Sequence, residues 1–128
     1  MIKELTAVAW GVLSDAAQEE KRGTLTRHQA QALARSRIEA MRYGPEHKDY
    51  FWIQDTLPRM IMHPYRTDLN ATNLTDFTDS RGVHIFVEFV HLAKRKKEGY
   101  LEYVWQWKDN PRRLEAKESY VRLFEPWG

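Results

Sequence analysis

The chain has 128 residues, 42% of them hydrophobic and 30% charged, with a formal net charge of +2. That length supports one domain whose core is large enough to fold without staples. Interspersed acids and bases exclude a dedicated nucleic-acid surface, the lack of cysteine excludes disulfides, thiolate nucleophiles and cysteine zinc sites, and no apolar run reaches the eighteen or so residues that span a bilayer.

Ile2, Leu5, Val8, Ala9, Val12, Leu13 and Ala16 recur at helical spacing, which predicts an amphipathic helix over the first twenty or so residues, interrupted at Gly23. The start, Met1-Ile2-Lys3-Glu4-Leu5, is amphipathic at once and lacks the apolar core of a signal peptide. Thr26 followed by Gln29 is the pattern of a capping box. The helix it opens has Ala30, Leu33, Ala34, Ile38 and Met41 as its buried stripe and Gly44-Pro45 as its end. Tyr50 to Gln54 and Arg59 to His63 are strand-like and separated by Pro58. From Pro64 to Gly82 the chain turns polar, a long surface loop of the kind that carries function or short helical turns. Val83 to Lys97 is predicted as a helix with Ile85, Phe86, Phe89, Val90 and Ala93 inward. Its basic end, Lys94 to Lys97, complements the helix dipole. Tyr100 to Trp107 is a strand, Lys108 to Pro111 a turn and Ser119 to Phe124 a second strand, together a long hairpin. Strands on both sides of a connecting helix predict an α+β fold, an antiparallel sheet with helices on one side.

Catalysis finds no support in these residues. His63 with Asp55 is not a triad, no serine sits in a nucleophile elbow, the glycines are scattered, and the five histidines have no metal-ligand spacing. Neither an enzyme nor a cofactor is expected. A binding pocket is better supported. Alternation sets Tyr50 and Trp52 on one face of the first strand, Arg59, Ile61 and His63 on one face of the second, Tyr103 and Trp105 on the third, and Lys117 and Ser119 on the fourth. Tyrosine and tryptophan combine an apolar body with a hydrogen-bonding tip, and a small site needs an apolar wall with a few convergent polar groups. For an anion the candidate partners are Arg59, His63 and Lys117. The plainer reading makes the aromatics core residues and Met60 and Met62 gap-fillers.

A linked set of motifs adds to this: Arg42-Tyr43-Gly44, Asp49-Tyr50-Phe51-Trp52-Ile53, Met60-Ile61-Met62-His63-Pro64, Asp76-Phe77-Thr78-Asp79, Gly99-Tyr100 with Tyr103 and Trp105, Lys117 with Ser119-Tyr120-Val121, and Glu125-Pro126-Trp127-Gly128. With these, residues 1–128 resemble the single Cache sensor family, type two, the extracytoplasmic ligand-binding part of bacterial chemoreceptors and sensor kinases. The resemblance implies a PAS-like antiparallel sheet with a long N-terminal helix. Residues 1–44 would be the helical part and 45–128 the sheet and pocket part. It implies a small organic acid as ligand (acetate, propionate, pyruvate or lactate) and a signal relayed to a membrane receptor. Tyr50 and Trp52 would line the pocket, His63, Tyr103 and Lys117 would hold the carboxylate, with Arg59 in support, and Met62 and Trp105 would shape the apolar end. Members of the family begin their helix at a membrane segment and continue beyond the equivalent of Gly128 with one more, central strand. The chain is therefore expected to be truncated at both ends, and either to form a homodimer or to exchange strands with another chain. The alternative function is a ligand-free interaction or dimerisation domain of a signalling protein.

Overall fold

The computed structural model describes residues 1–128, which form three α-helices, four β-strands and one short 3-10 helix. Helices α1 (Ile2–Arg22) and α2 (Arg27–Ala40) make a hairpin. Gly23 ends α1 in the left-handed region (φ 81°), so that the Gly23 and Thr24 N–H groups reach the carbonyls of Glu20 and Glu19. The expected capping box opens α2: the Thr26 hydroxyl accepts from Gln29 N, and the Gln29 amide accepts from Thr26 N. Ala16, Ala30 and Ala34 are buried between the helices, where small side chains permit close approach. Helix α2 stops at Ala40, earlier than Gly44-Pro45 suggests, because Met41 takes up extended geometry as its C-cap.

The residues after α2 form a tight loop closed by the bridge between Tyr43 and Asp49. Gly44 is required there: its φ is +85°, and a Cβ would lie 2.1 Å from the Asp49 carboxylate. Strands β1 (Ile53–Gln54) and β2 (Met60–Met62) pair antiparallel but are shorter than the alternation implies. Two local devices cut them short. The Asp55 carboxylate accepts the Leu57 and Arg59 N–H groups around a cis Leu57–Pro58 peptide, and the loop at 71–74 takes hydrogen bonds along β2 that a neighbouring strand would otherwise make. The polar loop from Pro64 to Gly82 contains a 3-10 turn (Thr67–Leu69) and buries Leu69 and Leu74, so the polar stretch is a structural wall of the core.

Helix α3 (Ile85–Lys96) buries the whole expected stripe and Leu92 as well, and its basic last turn is exposed. Strands β3 (Glu98–Trp107) and β4 (Asn110–Arg122) pair along their length. Strand β4 begins well before Ser119. Its added residues are mostly polar and exposed, with Glu115 and Lys117 half-buried, which an antiparallel ribbon with one wet face accommodates. The expected single sheet is resolved into two two-stranded ladders, β1-β2 and β3-β4, with no backbone ladder between them. Side chains join them: Met60, Leu74, Ile85, Phe86, Phe89 and Trp105 belong to one buried cluster. Beyond β4, Phe124 and Trp127 return to α1, where Trp10 Nε1 donates to the Leu123 carbonyl and Trp127 Nε1 to Glu20.

Candidate ligand site

The β3-β4 register sets Tyr103 opposite Lys117, Leu101 opposite Ser119 and Trp105 opposite Glu115, all on one face of the ribbon, on which α3 packs at Tyr103 and Trp105. Tyr103 and Trp105 are each 5% exposed. Burial raises the Tyr103 phenol well above its ordinary range, and its hydroxyl shares a 2.6 Å hydrogen bond with Ser119 Oγ. From the facing side comes Tyr50, delivered by the Gly44 loop. Lys117 Nζ donates to Tyr50 Oη at 2.9 Å and lies 4.2 Å from the ring centre. Burial likewise pushes the Tyr50 phenol up, so it stays a neutral partner.

Tyr50 stacks at 4.8 Å on His63, which in turn lies 5.8 Å from Trp105. His63 is 2% exposed, and its Nδ1 accepts two backbone N–H groups, from Tyr65 (3.1 Å) and Arg66 (2.9 Å). Those two donors require a bare Nδ1, so the proton of the neutral ring sits on Nε2, a fixed hydrogen-bond donor. Burial, then the charges of Lys117 and Arg66, hold the imidazole down to about 3, so it is neutral across the physiological range.

Burial lowers Lys117 to about 8, against the raising influence of Asp49 and with a further push down from Lys108. Asp49 does not pair with it, because its carboxylate is 3.6 Å from Lys108 Nζ. The Trp105 indole Nε1 is buried with no acceptor, although it is near enough to the Tyr50 phenol to oppose the effect of burial there. The group therefore offers an ammonium, an indole N–H and an imidazole N–H among aromatic rings, with no acid bonded to any of them. That arrangement is suited to holding a small anion. No three His, Asp or Glu side chains cluster as metal ligands, and in this group the Tyr50 hydroxyl accepts from Lys117 while the Tyr103 hydroxyl is shared with Ser119, so neither is paired with a general base.

Residues 1–128 match the family described as Single Cache domain 2. The chain belongs to that family. This Cache domain is accordingly a sensor module and not an enzyme. It is 40% identical over 126 residues to the methyl-accepting chemotaxis protein McpP of Pseudomonas putida, a match that covers 98% of the Cache domain and 23% of that relative, so the chain spans about a quarter of McpP. Among solved structures it is similar to a periplasmic sensor domain of a chemotaxis protein (TM-score 0.93, 29% identity, covering 99% of this chain and 86% of the other). It is equally similar to a Cache chemosensory domain described for its carboxylic acid recognition (TM-score 0.93, 36% identity, covering 98% and 84%). A methyl-accepting chemotaxis protein of Vibrio parahaemolyticus shares the fold at 19% identity (TM-score 0.70, covering 98% and 86%). The α+β Cache fold, with its long N-terminal helix and small antiparallel sheets, is thus the architecture of this chain. No helix in it is long and apolar enough to cross a membrane.

Of the residues singled out from the sequence, Tyr50, Trp52 and Lys117 line a cavity of about 800 Å³ whose wall is built from α1, α2, α3, β1 and β4. Met62, His63, Tyr103 and Trp105 are buried outside that wall, the last three within one aromatic cluster. Arg59 is not brought to the group: it is exposed, absent from the cavity wall, and its backbone bridges to Asn73. Alternation failed for it because the ladder is interrupted on both sides of β2. Two supporting residues escape a sequence reading. Tyr65 packs edge-on against Tyr50 at 5.0 Å and is itself held by Arg42 and the Lys48 carbonyl. Gln54 ties Trp52 to the Phe86 carbonyl of α3. Arg42 belongs to a singled-out motif, whereas nothing local marks Tyr65 or Gln54.

Proposed function

We propose that this Cache domain is the extracytoplasmic sensor of a chemotaxis receptor and binds a small organic acid of the acetate, propionate, pyruvate or lactate type. One observation carries the reading: the Lys117 ammonium rests on the Tyr50 phenol and ring with no acid paired to it, and the buried Trp105 N–H near that phenol has no acceptor. Holding a cation with only a neutral partner, and burying a donor with none, costs free energy, roughly 1–3 kcal/mol for the donor alone. A carboxylate supplies the missing charge and the missing acceptor together. In this reading Lys117 and the Nε2–H of His63 hold the carboxylate with Tyr103 hydroxyl support, Tyr50 and Trp52 form the wall, and Met62 closes the apolar end. Trp105 contributes its indole N–H as well as its ring. Arg59, being exposed, has no part. Each additional methylene of the ligand is worth about 1 kcal/mol, so discrimination among these acids is modest.

The extracytoplasmic setting rests on the relatives, one a chemoreceptor and one a periplasmic sensor domain. Relay to the membrane runs through α1, which β4 and the residues after it contact at Trp10. The size of any shift is bounded by the ligand's differential affinity for the two helix positions. Assembly as a homodimer or by strand exchange is part of the same proposal, and sedimentation equilibrium that returns a monomer at every concentration removes it.

The test is a thermal melt with and without millimolar acetate, propionate, pyruvate and lactate. A ligand bound only by the folded state raises the midpoint in proportion to the logarithm of its concentration over its dissociation constant. The expected result is a rise with at least one acid. A cooperative melt that none of the four moves discards the carboxylate reading in favour of a ligand-free interaction module.

A further inference from the structure

The motif Asp76-Phe77-Thr78-Asp79 lies outside the ligand-contacting group, yet it touches that group from behind. Asp79 lies near the end of the polar loop, where the chain turns into α3. Its Oδ1 accepts the backbone N–H groups of Arg81 (2.9 Å) and Val83 (3.0 Å), which closes the turn. Its Oδ2 reaches across to β3 and accepts the N–H of Val104 at 3.1 Å. Val104 sits between Tyr103 and Trp105. Its N–H faces away from β4, on the edge of β3 that has no strand neighbour. Two residues earlier, Phe77 packs on Trp105 at 5.6 Å and on Phe86 of α3 at 5.3 Å.

We infer that Asp79 is a positioning residue for the carboxylate site: by anchoring the Val104 N–H it fixes the backbone between Tyr103 and Trp105 and aims both side chains toward Lys117. The inference rests on the carboxylate reading of the site and extends it to a residue that touches no ligand. The reason is geometric. In a strand, successive side chains project to opposite faces, so a peptide free to rock about its edge swings the two flanking side chains together. Strand β4 restrains one edge of β3, and Asp79 restrains the other at Val104, the one residue between the two site aromatics. A carboxylate suits this post because it accepts from both directions at once, with one oxygen for the turn and one for the strand.

Asp79→Asn separates the two tasks. The amide oxygen continues to serve Arg81 and Val83, while the NH₂ group opposes the Val104 N–H donor to donor. With uniformly ¹⁵N-labelled protein, the readings are the Trp105 indole N–H line, the exchange rate of the Val104 amide and the affinity for propionate by calorimetry. In D79N the expected result is a displaced indole line without ligand, faster Val104 exchange and binding weaker by about tenfold, the size of one lost hydrogen bond to a charged group. An indole line that stays in place, or affinity within twofold of the original while the Val104 amide has moved, overturns the inference. If the original chain binds none of the four acids, the carboxylate reading falls by itself. The indole line of D79N then decides the positioning role: displaced supports it and unmoved removes it. Should D79N fail to fold, Asp79→Ser, whose one hydroxyl can serve the turn but not Val104, takes its place with the same readings.

Discussion

Lys117 and Tyr50, 67 positions apart in the chain, meet with the ammonium 2.9 Å from the phenol oxygen and over the same ring. The charge of β4 is therefore received by a neutral aromatic from the Gly44 loop, while the nearby acid Asp49 is occupied by Lys108. A cation held this way remains available to a carboxylate that enters beside it, and most of the testable consequences follow from that.

Replacing Lys117 with Met keeps the apolar stem and removes the charge. Loss of one partner from a buried charge pair costs about 2–5 kcal/mol, so carboxylate affinity by calorimetry is expected to fall by about a hundredfold. The melting midpoint without ligand should hold or rise, because a half-buried charge with no acid partner is removed. Affinity within twofold of the original takes Lys117 out of the site. Arg59→Ala serves as the contrast, expected to leave affinity unchanged because Arg59 is exposed and lies off the cavity wall.

The pH profile of binding should carry one step, not two. Lys117 binds a carboxylate in its protonated form, and burial has lowered it to about 8 from 10.5. Affinity is thus flat below pH 8 and falls about tenfold per unit above it. His63, held down to about 3, takes up no proton near 6.5 and adds no step there. A clear inflection between pH 6 and 7 in a calorimetric series contradicts the neutral, Nδ1-accepting imidazole.

Stability follows the same two groups. Below 6.5 the unfolded chain protonates His63, while the folded chain resists down to about 3, so this contribution is lost as pH falls through that window. Between about 8 and 10.5 the unfolded chain holds the Lys117 proton that the fold has released, so stability from this group rises with pH. Denaturant midpoints of His63→Gln should lose much of the acid-side slope. An unaltered slope assigns acid sensitivity to the carboxylates alone.

Trp105→Phe removes the indole N–H but keeps an aromatic ring in the core. Affinity should drop roughly tenfold, since a hydrogen bond to a charged group is worth about 1.5–3 kcal/mol, while the melting midpoint changes little. Trp105→Ala instead opens the core at a cost of about 3–5 kcal/mol and should relax the ranking of acids by size. An unchanged ranking in the Ala variant leaves Trp105 as core alone.

Gly44→Ala tests the loop that delivers Tyr50. The left-handed backbone costs a side chain about 1 kcal/mol or more, and the new methyl collides with the Asp49 carboxylate. Together these should lower the melting midpoint by roughly 10 °C and weaken acid binding as Tyr50 shifts. A midpoint within a degree or two of the original means that the loop relaxes freely and does not set the site.

Local pattern alone determined much of this domain. The span of α1 to Gly23, the Thr26–Gln29 capping box, the inward stripe of α3 and the pairing of β3 with β4 were all legible, because each follows from periodicity or from a hydrogen bond made within a few residues. The residues of the candidate site were legible as residue types on strands, and the motif set pointed to the Cache family. Tertiary structure decided the rest. It cut β1 and β2 short by giving their backbone groups to Asp55 and to the loop at 71–74, and it left Arg59 outside. It bared His63 Nδ1 to two backbone donors, brought Lys117 to Tyr50, and made Trp105 the buried aromatic whose polar tip has no partner. Alternation reports which face of a strand is buried. Whether a buried polar tip finds a partner depends on register and packing between segments far apart in the chain, and that is settled only when the fold closes around it.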